Sequence, residues 1–293
     1  MNLVQNNNIE LPDLISKIDL KRDSNTNSSH SSADAFSIFN GPDISQEIGA
    51  VPDGIKIKWA SNADEIQAAQ RLRYKVFTQE MGGRVAKSSS GLDCDLFDDF
   101  CEHLIVLSVQ TGDVIGTYRV LTPAQAQRVG STHLDTFFDL TRLRQYKDRM
   151  VEIGKGCVDP EHRNGGVIMA LWGELFKFMQ RNKLDFMVGS TNIPMTQELS
   201  QSAKLAASIW TQVKREHLAP IELHIRPRFP LPVDQLVGDL TVELPSLIQA
   251  YLRLGAKVLG PPAWLVNSNS VELPMMMRSS ELHSKYKKHF LGQ

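Results

Sequence analysis

The stretch Glu152 to Ile168, EIGKGCVDPEHRNGGVI, is the part of the chain richest in groups able to do chemistry. Its first half, Met150 to Val158, reads as an apolar strand carrying one carboxylate, Glu152, between Val151 and Ile153. A carboxylate desolvated in that setting holds its proton more tightly and can take one from a substrate ammonium, directly or through water. A glutamate on the polar face of a half-buried strand fits the pattern equally well. The second half, Arg163-Asn164-Gly165-Gly166, turns the chain into a helix. The first amides of a helix lack carbonyl partners and suit an anion, glycine allows close backbone approach, and Arg163 adds charge. A pyrophosphate or phosphopantetheine suits such a turn, as does a purely structural role. The spacing is neither that of a P-loop nor that of a dinucleotide fingerprint.

Further polar groups lie upstream. Asp93, Asp95, Asp98, Asp99 and Glu102 form a cluster of one sign. Such a cluster can receive an ammonium group or simply be a solvated loop, and it lacks the spacing of a calcium loop. Arg73, Phe77 and Glu80 fall on one helix face. Arg73 either pairs with Glu80 or a nearby aspartate on the surface, or orders the acidic segment. Arg119 ends the run Gly116-Thr117-Tyr118-Arg119 in an apolar strand and needs a partner there: a substrate carboxylate or one of the aspartates. Cys157 reads as a buried structural thiol, and Cys94 and Cys101 do not have zinc spacing. His103 reads as structural, and no metal is expected. Leu171, Trp172, Leu175 and Phe176 form an apolar helical stripe, suited to plain core or to an acyl groove. Two basic groups, Lys177/Arg181/Lys183 and Arg142/Arg144/Lys147/Arg149, are either solvated faces or docking points for an acidic carrier.

The elements that must hold these groups follow from periodicity and breakers. Ser61 and Asp64 resemble a capping box before a helix with Ile66, Ala69, Leu72, Val76 and Phe77 on one face, ending at Gly82-Gly83. His103–Val109 and Val114–Leu121 flank a Gly-Asp turn and read as a hairpin. Pro123–Gln127 and Leu140–Tyr146 look helical. Strand Met150–Val158 precedes a helix over 165–181, a short strand Phe186–Ser190 and a helix over 196–216. A strand is expected at Ile221–Ile225, a helix at Leu244–Leu254 stopped by Gly255, and a closing hairpin from Lys257–Val266 and Val271–Met277. The order implies a mixed sheet with helices on both faces.

Composition bounds the rest. The chain has 293 residues, 32 Lys+Arg against 33 Asp+Glu, 42% hydrophobic residues and three cysteines. This is enough to bury a core without staples. The charge balance argues against a nucleic-acid partner, and the cysteines point to a reducing cytoplasm. Nothing reads as a membrane span or secretory signal. Residues 21–35, KRDSNTNSSHSSADA, offer little to bury, so residues 1–54 are expected to form a flexible, partly disordered extension before a domain at 55–293. Leu11, Leu14, Ile15, Ile18 and Leu20 hint at a short amphipathic helix there, compatible with a peripheral contact at the inner membrane.

Taken in order, Arg71-Leu-Arg73-Tyr74-Lys-Val-Phe77, Asp93-Cys-Asp95-Leu-Phe-Asp98, Cys101-Glu-His103, Gly116-Thr-Tyr-Arg119, Glu152-Ile-Gly154, Cys157-Val158-Asp159-Pro160, Arg163-Asn164-Gly165 and Leu247–Ala256 resemble the bacterial ornithine N-acyltransferases of ornithine-lipid synthesis. These are GNAT-type enzymes related to acyl-homoserine-lactone and N-acyl amino acid synthases. The resemblance covers about residues 58–290. It implies an α/β, GNAT-like mixed central sheet flanked by helices on both faces. It implies Glu152 as general base, with Arg73, Phe77, Asp95, Asp98 and Arg119 around the amino-acid substrate. Val158, Arg163, Asn164, Gly165 and Gly166 would hold an acyl-phosphopantetheine thioester, presented by acyl carrier protein or as acyl-coenzyme A, with no tightly bound cofactor and no metal. The expected reaction moves a long-chain (3-hydroxy)acyl group onto the α-amino group of ornithine. Lys155-Gly156 stands where the family has Arg-Ser, and Val266–Ser270 lacks the acidic residue of the family's late F-N-x-x-D pattern. A different amine acceptor, as in the related synthases, is therefore the near alternative. A non-enzymatic, haemolysin-like membrane factor is the distant one.

Overall fold

The computed structural model describes residues 53–80, 90–194, 199–236, 242–265 and 270–292. The expected extension and the Gly82-Gly83 helix stop lie outside them, apart from Asp53 and Gly54. Eight described strands form one mixed sheet. Strand β1 is Ile55–Trp59, β2 Glu102–Ser108, β3 Val114–Leu121, β5 Met150–Val158, β6 Phe186–Pro194, β8 Lys257–Val258, β9 Ala263–Leu265 and β10 Ser270–Arg278. The order is β1-β2-β3-β5-β6-β10-β8, with β9 also on β10. Only β5 and β6 pair in parallel. A small separate pair joins β4, Phe138–Asp139, to β7, Arg226–Pro227.

Helix α1, Ala63–Tyr74, starts one residue later than the Ser61 box predicts. Asn62 is the cap, accepting from the Glu65 amide at 3.0 Å, while Glu65 reaches back to the Ser61 amide at 2.9 Å. It runs on into a π-helical turn, Lys75–Glu80. Helix α2 is Pro123–Val129, with a complete capping box between Thr122 and Gln125. Helix α3 is Gly166–Arg181, α4 Leu199–His217, α5 Ser246–Leu254 and α6 Ser284–Leu291. Gly255 stops α5 at φ 104°, as its position implied.

Strand alternation puts α1 and α3 on opposite faces. Cys157 packs with Leu72 of α1 and Val76 of the π-helical turn that continues it, and it pairs with Thr117. The neighbouring Gly116 faces the other way: a Cβ there would lie 2.5 Å from Val167 and 3.2 Å from Leu171 of α3. The apolar stripe Leu171, Trp172, Leu175 and Phe176 is buried core.

Three expectations change. Ile221–Ile225 is not a strand but a 3₁₀ turn, Ile221–Leu223, between Pro220 and the Pro-rich segment. The proline lacks a ladder donor and sets the chain turning. The closing hairpin is broken, because Pro261 and Pro262 divide its first arm into β8 and β9. Strand β6 runs four residues past Ser190, to Pro194, paired throughout with β10.

Two irregularities shape the sheet centre. Between Thr117↔Cys157 and Arg119↔Gly154, β5 carries one more residue than β3, a bulge at Lys155–Gly156. Lys155 sits there at φ 53°. A Cβ on Gly156 would lie 2.3 Å from the Tyr118 ring. The pairing of β5 with β6 stops at Glu152↔Val188, although the strands continue to Val158 and Pro194. Replacing Gly156 by Ala should therefore destabilise the fold by about 1–3 kcal/mol through overpacking, read as a lower urea midpoint. An unchanged midpoint would show that Tyr118 can move aside.

Candidate active site

Arg73 is fully buried on α1, which forces its guanidinium to find anions. Its Nη2 contacts Asp98 Oδ1 at 2.5 Å and donates to the Asp93 carbonyl, while Nε lies 3.4 Å from Asp93 Oδ2. Arg119, 3% exposed on β3, donates from Nη1 to Asp95 Oδ1 at 2.6 Å and to Asp98 Oδ2 at 2.8 Å. Asp98 Oδ2 also accepts from the Asp95 amide at 2.9 Å. Lys155, carried by the β5 bulge, reaches Asp93 Oδ1 at 3.0 Å and lies over the half-buried Phe77 ring. Three carboxylates are thus matched by two guanidinium groups and one ammonium.

The structure shows what these groups pair with where spacing left alternatives open. Arg73 is not a surface residue paired along its own helix, and the partners of Arg119 are aspartates. The acidic segment is not an uncompensated ammonium receptor, because Asp93, Asp95 and Asp98 are consumed internally. Asp99 is exposed, and Glu102 accepts from Gln125 Nε2 at 2.8 Å. Burial by itself would raise the Asp98 pKa, but Arg73, Arg119 and the Asp95 amide overcome it and hold the carboxyl at about 2.

Glu152 is buried at the last rung shared by β5 and β6. It is not on a solvated strand face. Oε2 accepts from the His133 amide at 2.8 Å and Oε1 from the Leu134 amide at 2.7 Å, at the start of the 3₁₀ turn Leu134–Thr136. Burial raises its pKa to about 7, outweighing the two amides and the nearby Arg119 charge. The His133 ring stands edge-on to Phe97 and Phe137, 3.9 Å from Asp95 Oδ2. Burial, reinforced by the Arg119 charge, lowers its pKa to about 4, so it is neutral at neutral pH. The same strand alternation places Arg119 and Glu152 on the α1 face, since Arg119 pairs with Gly154 and Leu121 with Glu152.

At the far end of β5, Arg163 Nε donates to the Val158 carbonyl at 3.1 Å. Gly165 precedes α3 at φ 92°, and the Gly166 amide is capped by Asn164 Oδ1 at 3.2 Å. The first-turn amides of Val167 and Ile168 have no carbonyl four residues back within the helix, the arrangement that suits an anionic group. Beneath the bulge, Trp172 Nε1 donates to the Tyr118 hydroxyl at 3.2 Å, and Tyr118 shares a 2.5 Å hydrogen bond with Tyr251 of α5. Cys157 is fully buried, its thiol pushed up to about 12 by burial, which excludes a resting thiolate. Among the described residues no group of three or more His, Cys, Asp or Glu is arranged to hold a metal. No described helix is long and apolar enough to cross a membrane.

Sequence reasoning gave no role in the site to Lys155, His133, Tyr118 or Glu272. Lys155 between two glycines is a visible signal of an irregular strand. The others are reached only through strand pairing or a loop that folds back onto β5.

A bulged central strand whose parallel partner stops pairing, followed by a Gly-opened helix, is the frame of a GNAT-type acyltransferase. Residues 72–173 match the acetyltransferase (GNAT) domain family. The chain is 30% identical over 257 residues to the L-ornithine N(alpha)-acyltransferase of Rhodobacter capsulatus, covering 83% of this chain and 97% of that one. It is also 30% identical over 219 residues to the enzyme of that name from Rhizobium meliloti, covering 70% and 73%. A solved CoA-dependent acyl-homoserine lactone synthase superposes with a TM-score of 0.49 at 13% identity, over 82% of this chain and 89% of that one. The chain is an acyltransferase and belongs to the L-ornithine N(alpha)-acyltransferase family.

The folded pKa of Asp98 lies below the ordinary carboxylate value, so its stabilisation is complete above about pH 4 and is lost as pH falls toward its folded value. Over that window wild-type stability should fall by roughly 2 kcal/mol more than that of Asp98→Asn. Urea unfolding at stepped pH measures this, and parallel curves for the two proteins would refute it.

Proposed function

We propose that this enzyme transfers a long-chain (3-hydroxy)acyl group from acyl carrier protein to the α-amino group of ornithine, forming a lyso-ornithine lipid. The family supports the acyltransferase chemistry and the name its members carry supports the acceptor. The observation carrying the mechanism is Glu152: a buried carboxylate, its pKa near 7, at the rung where β5 and β6 stop pairing. An amine must lose a proton before it attacks a thioester, and a base poised near the working pH does this well. Glu152 takes that proton, directly or through one water. The bond formed is between amine nitrogen and acyl carbon, the bond broken is between that carbon and the pantetheine sulfur, and the leaving sulfur takes the second proton that the nitrogen gives up, so the arm departs as a thiol. The paired His133 and Leu134 amides hold the carboxylate in place before and after proton transfer.

In this reading Val158, Arg163, Asn164, Gly165 and Gly166 receive the phosphopantetheine arm. Arg73, Phe77, Asp95, Asp98 and Arg119 form the wall against which the amino acid lies. Because their charges are internally matched, Arg73 and Arg119 act by positioning the 93–98 loop. The donor protein docks peripherally and leaves after transfer. Residues 1–54 are assigned to an extension outside the catalytic domain, and a cytoplasmic enzyme at the inner-membrane surface fits a product destined for lipid.

Two outcomes test this. Purified enzyme offered long-chain acyl carrier protein, acyl-coenzyme A and a mixture of amino acids should form acyl-ornithine from the carrier protein, detected by mass spectrometry. A different acylated amine would move the acceptor, and product from coenzyme A alone would move the donor. Glu152→Gln should lower kcat by about 10²–10⁴-fold, with a near-wild-type melting curve. Because the base must be deprotonated, wild-type kcat/KM should rise with pH through about 7, and that limb should vanish in the variant. A retained limb would remove Glu152 as the base.

A further inference from the structure

The carboxylates of the α1 face differ in what balances them. Asp93, Asp95 and Asp98 have cations, and Glu152 has two amides. Glu272 has no cationic partner among the described residues. It stands on β10 opposite Asn192 of β6. Asn192 Nδ2 donates to Oε1 at 3.0 Å, and Ser190 Oγ donates to Oε2. These are neutral donors: they fix the carboxylate without cancelling its charge. Lys155 is near enough for its charge to favour the ionised form, but its ammonium is engaged by Asp93. Burial wins, and the pKa of Glu272 is raised.

Register gives the position. Val188 pairs with Glu152, and Val188, Ser190 and Asn192 alternate onto one face of β6. Glu272, opposite Asn192, is therefore on the same sheet face as Glu152 and Arg119, beyond the point where β5 and β6 cease to pair. Glu272 is half-buried, so its charge is only partly hydrated, and a cation arriving beside it recovers part of the hydration it has lost.

We infer that Glu272, held by Ser190 and Asn192, is the subsite for a side-chain ammonium of the acceptor, so that the enzyme selects a diamino acid over an amino acid with an apolar side chain. The inference rests on the ornithine reading above, which sends the α-amine to acyl transfer and leaves the terminal ammonium to be recognised. Glu272 is a specificity residue and takes no part in the bond-making step.

The test compares ornithine with norvaline, which has the same carbon chain and no terminal amine, at fixed acyl carrier protein. Wild type should favour ornithine strongly in kcat/KM. Glu272→Gln should raise the KM for ornithine by about 30-fold or more, leave norvaline within about two-fold, and leave kcat at saturating ornithine nearly unchanged. An unchanged ornithine-to-norvaline ratio in a folded variant overturns the subsite while acyl-ornithine formation keeps the proposed reaction. Failure of wild type to acylate ornithine overturns both. Should Glu272→Gln not fold, Glu272→Asp carries the test. Its carboxylate is withdrawn by one methylene, so the preference should shift toward lysine, and an unshifted ranking overturns the proposal.

Discussion

The molecule is organised around the buried guanidinium of Arg73. A cation with no solvent exposure must be compensated, and breaking such a pair costs several kcal/mol. Its partners are two aspartates from a segment with little regular structure of its own. Asp98 is shared with Arg119 on β3, and Asp93 is shared with Lys155 on β5. One cation on α1 thereby ties the acidic loop to two central strands. The reading of those carboxylates changes with it: they are fasteners paired with their cations, and not a basin of free negative charge.

That fastening positions strand β5. Lys155 can reach Asp93 because the bulge gives β5 an extra residue, and the bulge can close over Tyr118 because residue 156 has no side chain. The next departure from regularity is the end of the β5–β6 ladder at Glu152 and Val188. Past it the two strands leave backbone unshared at the centre of the sheet. Glu152 sits at that boundary, dry enough for a raised pKa yet anchored by two amides. Apolar surroundings raise the pKa, while the amides keep the carboxylate from wandering.

Much of the frame was legible. Met150–Val158 as the central strand, the hairpin before it and the helix after Gly165 follow from period, β-branched content and glycine placement, and each was found. Where reading failed, the cause was local chemistry overridden by prolines or by pairing. Ile221–Ile225 is apolar enough for a strand, but Pro220 turns the chain into a 3₁₀ turn, and ladder pairing begins only at Arg226. The length of β6 was hidden because Ser190–Asn192 is polar in sequence and looks like a loop. In the sheet it pairs with β10 and carries the donors for Glu272.

By itself the sequence determined the elements, the order of the motifs and the family, because these depend on local periodicity and on residues a few positions apart. It named Arg73, Asp95, Asp98, Arg119 and Glu152 as candidates without saying what each one faces. Only the tertiary structure decided that the first four neutralise one another, that Glu152 is buried against backbone amides, and that Glu272 stands on the same face without a counter-charge among the described residues. The physical reason is that charge compensation and desolvation are set by neighbours distant in sequence. Asp98 and Arg119, or Ser190 and Glu272, become partners only when strand register brings them together.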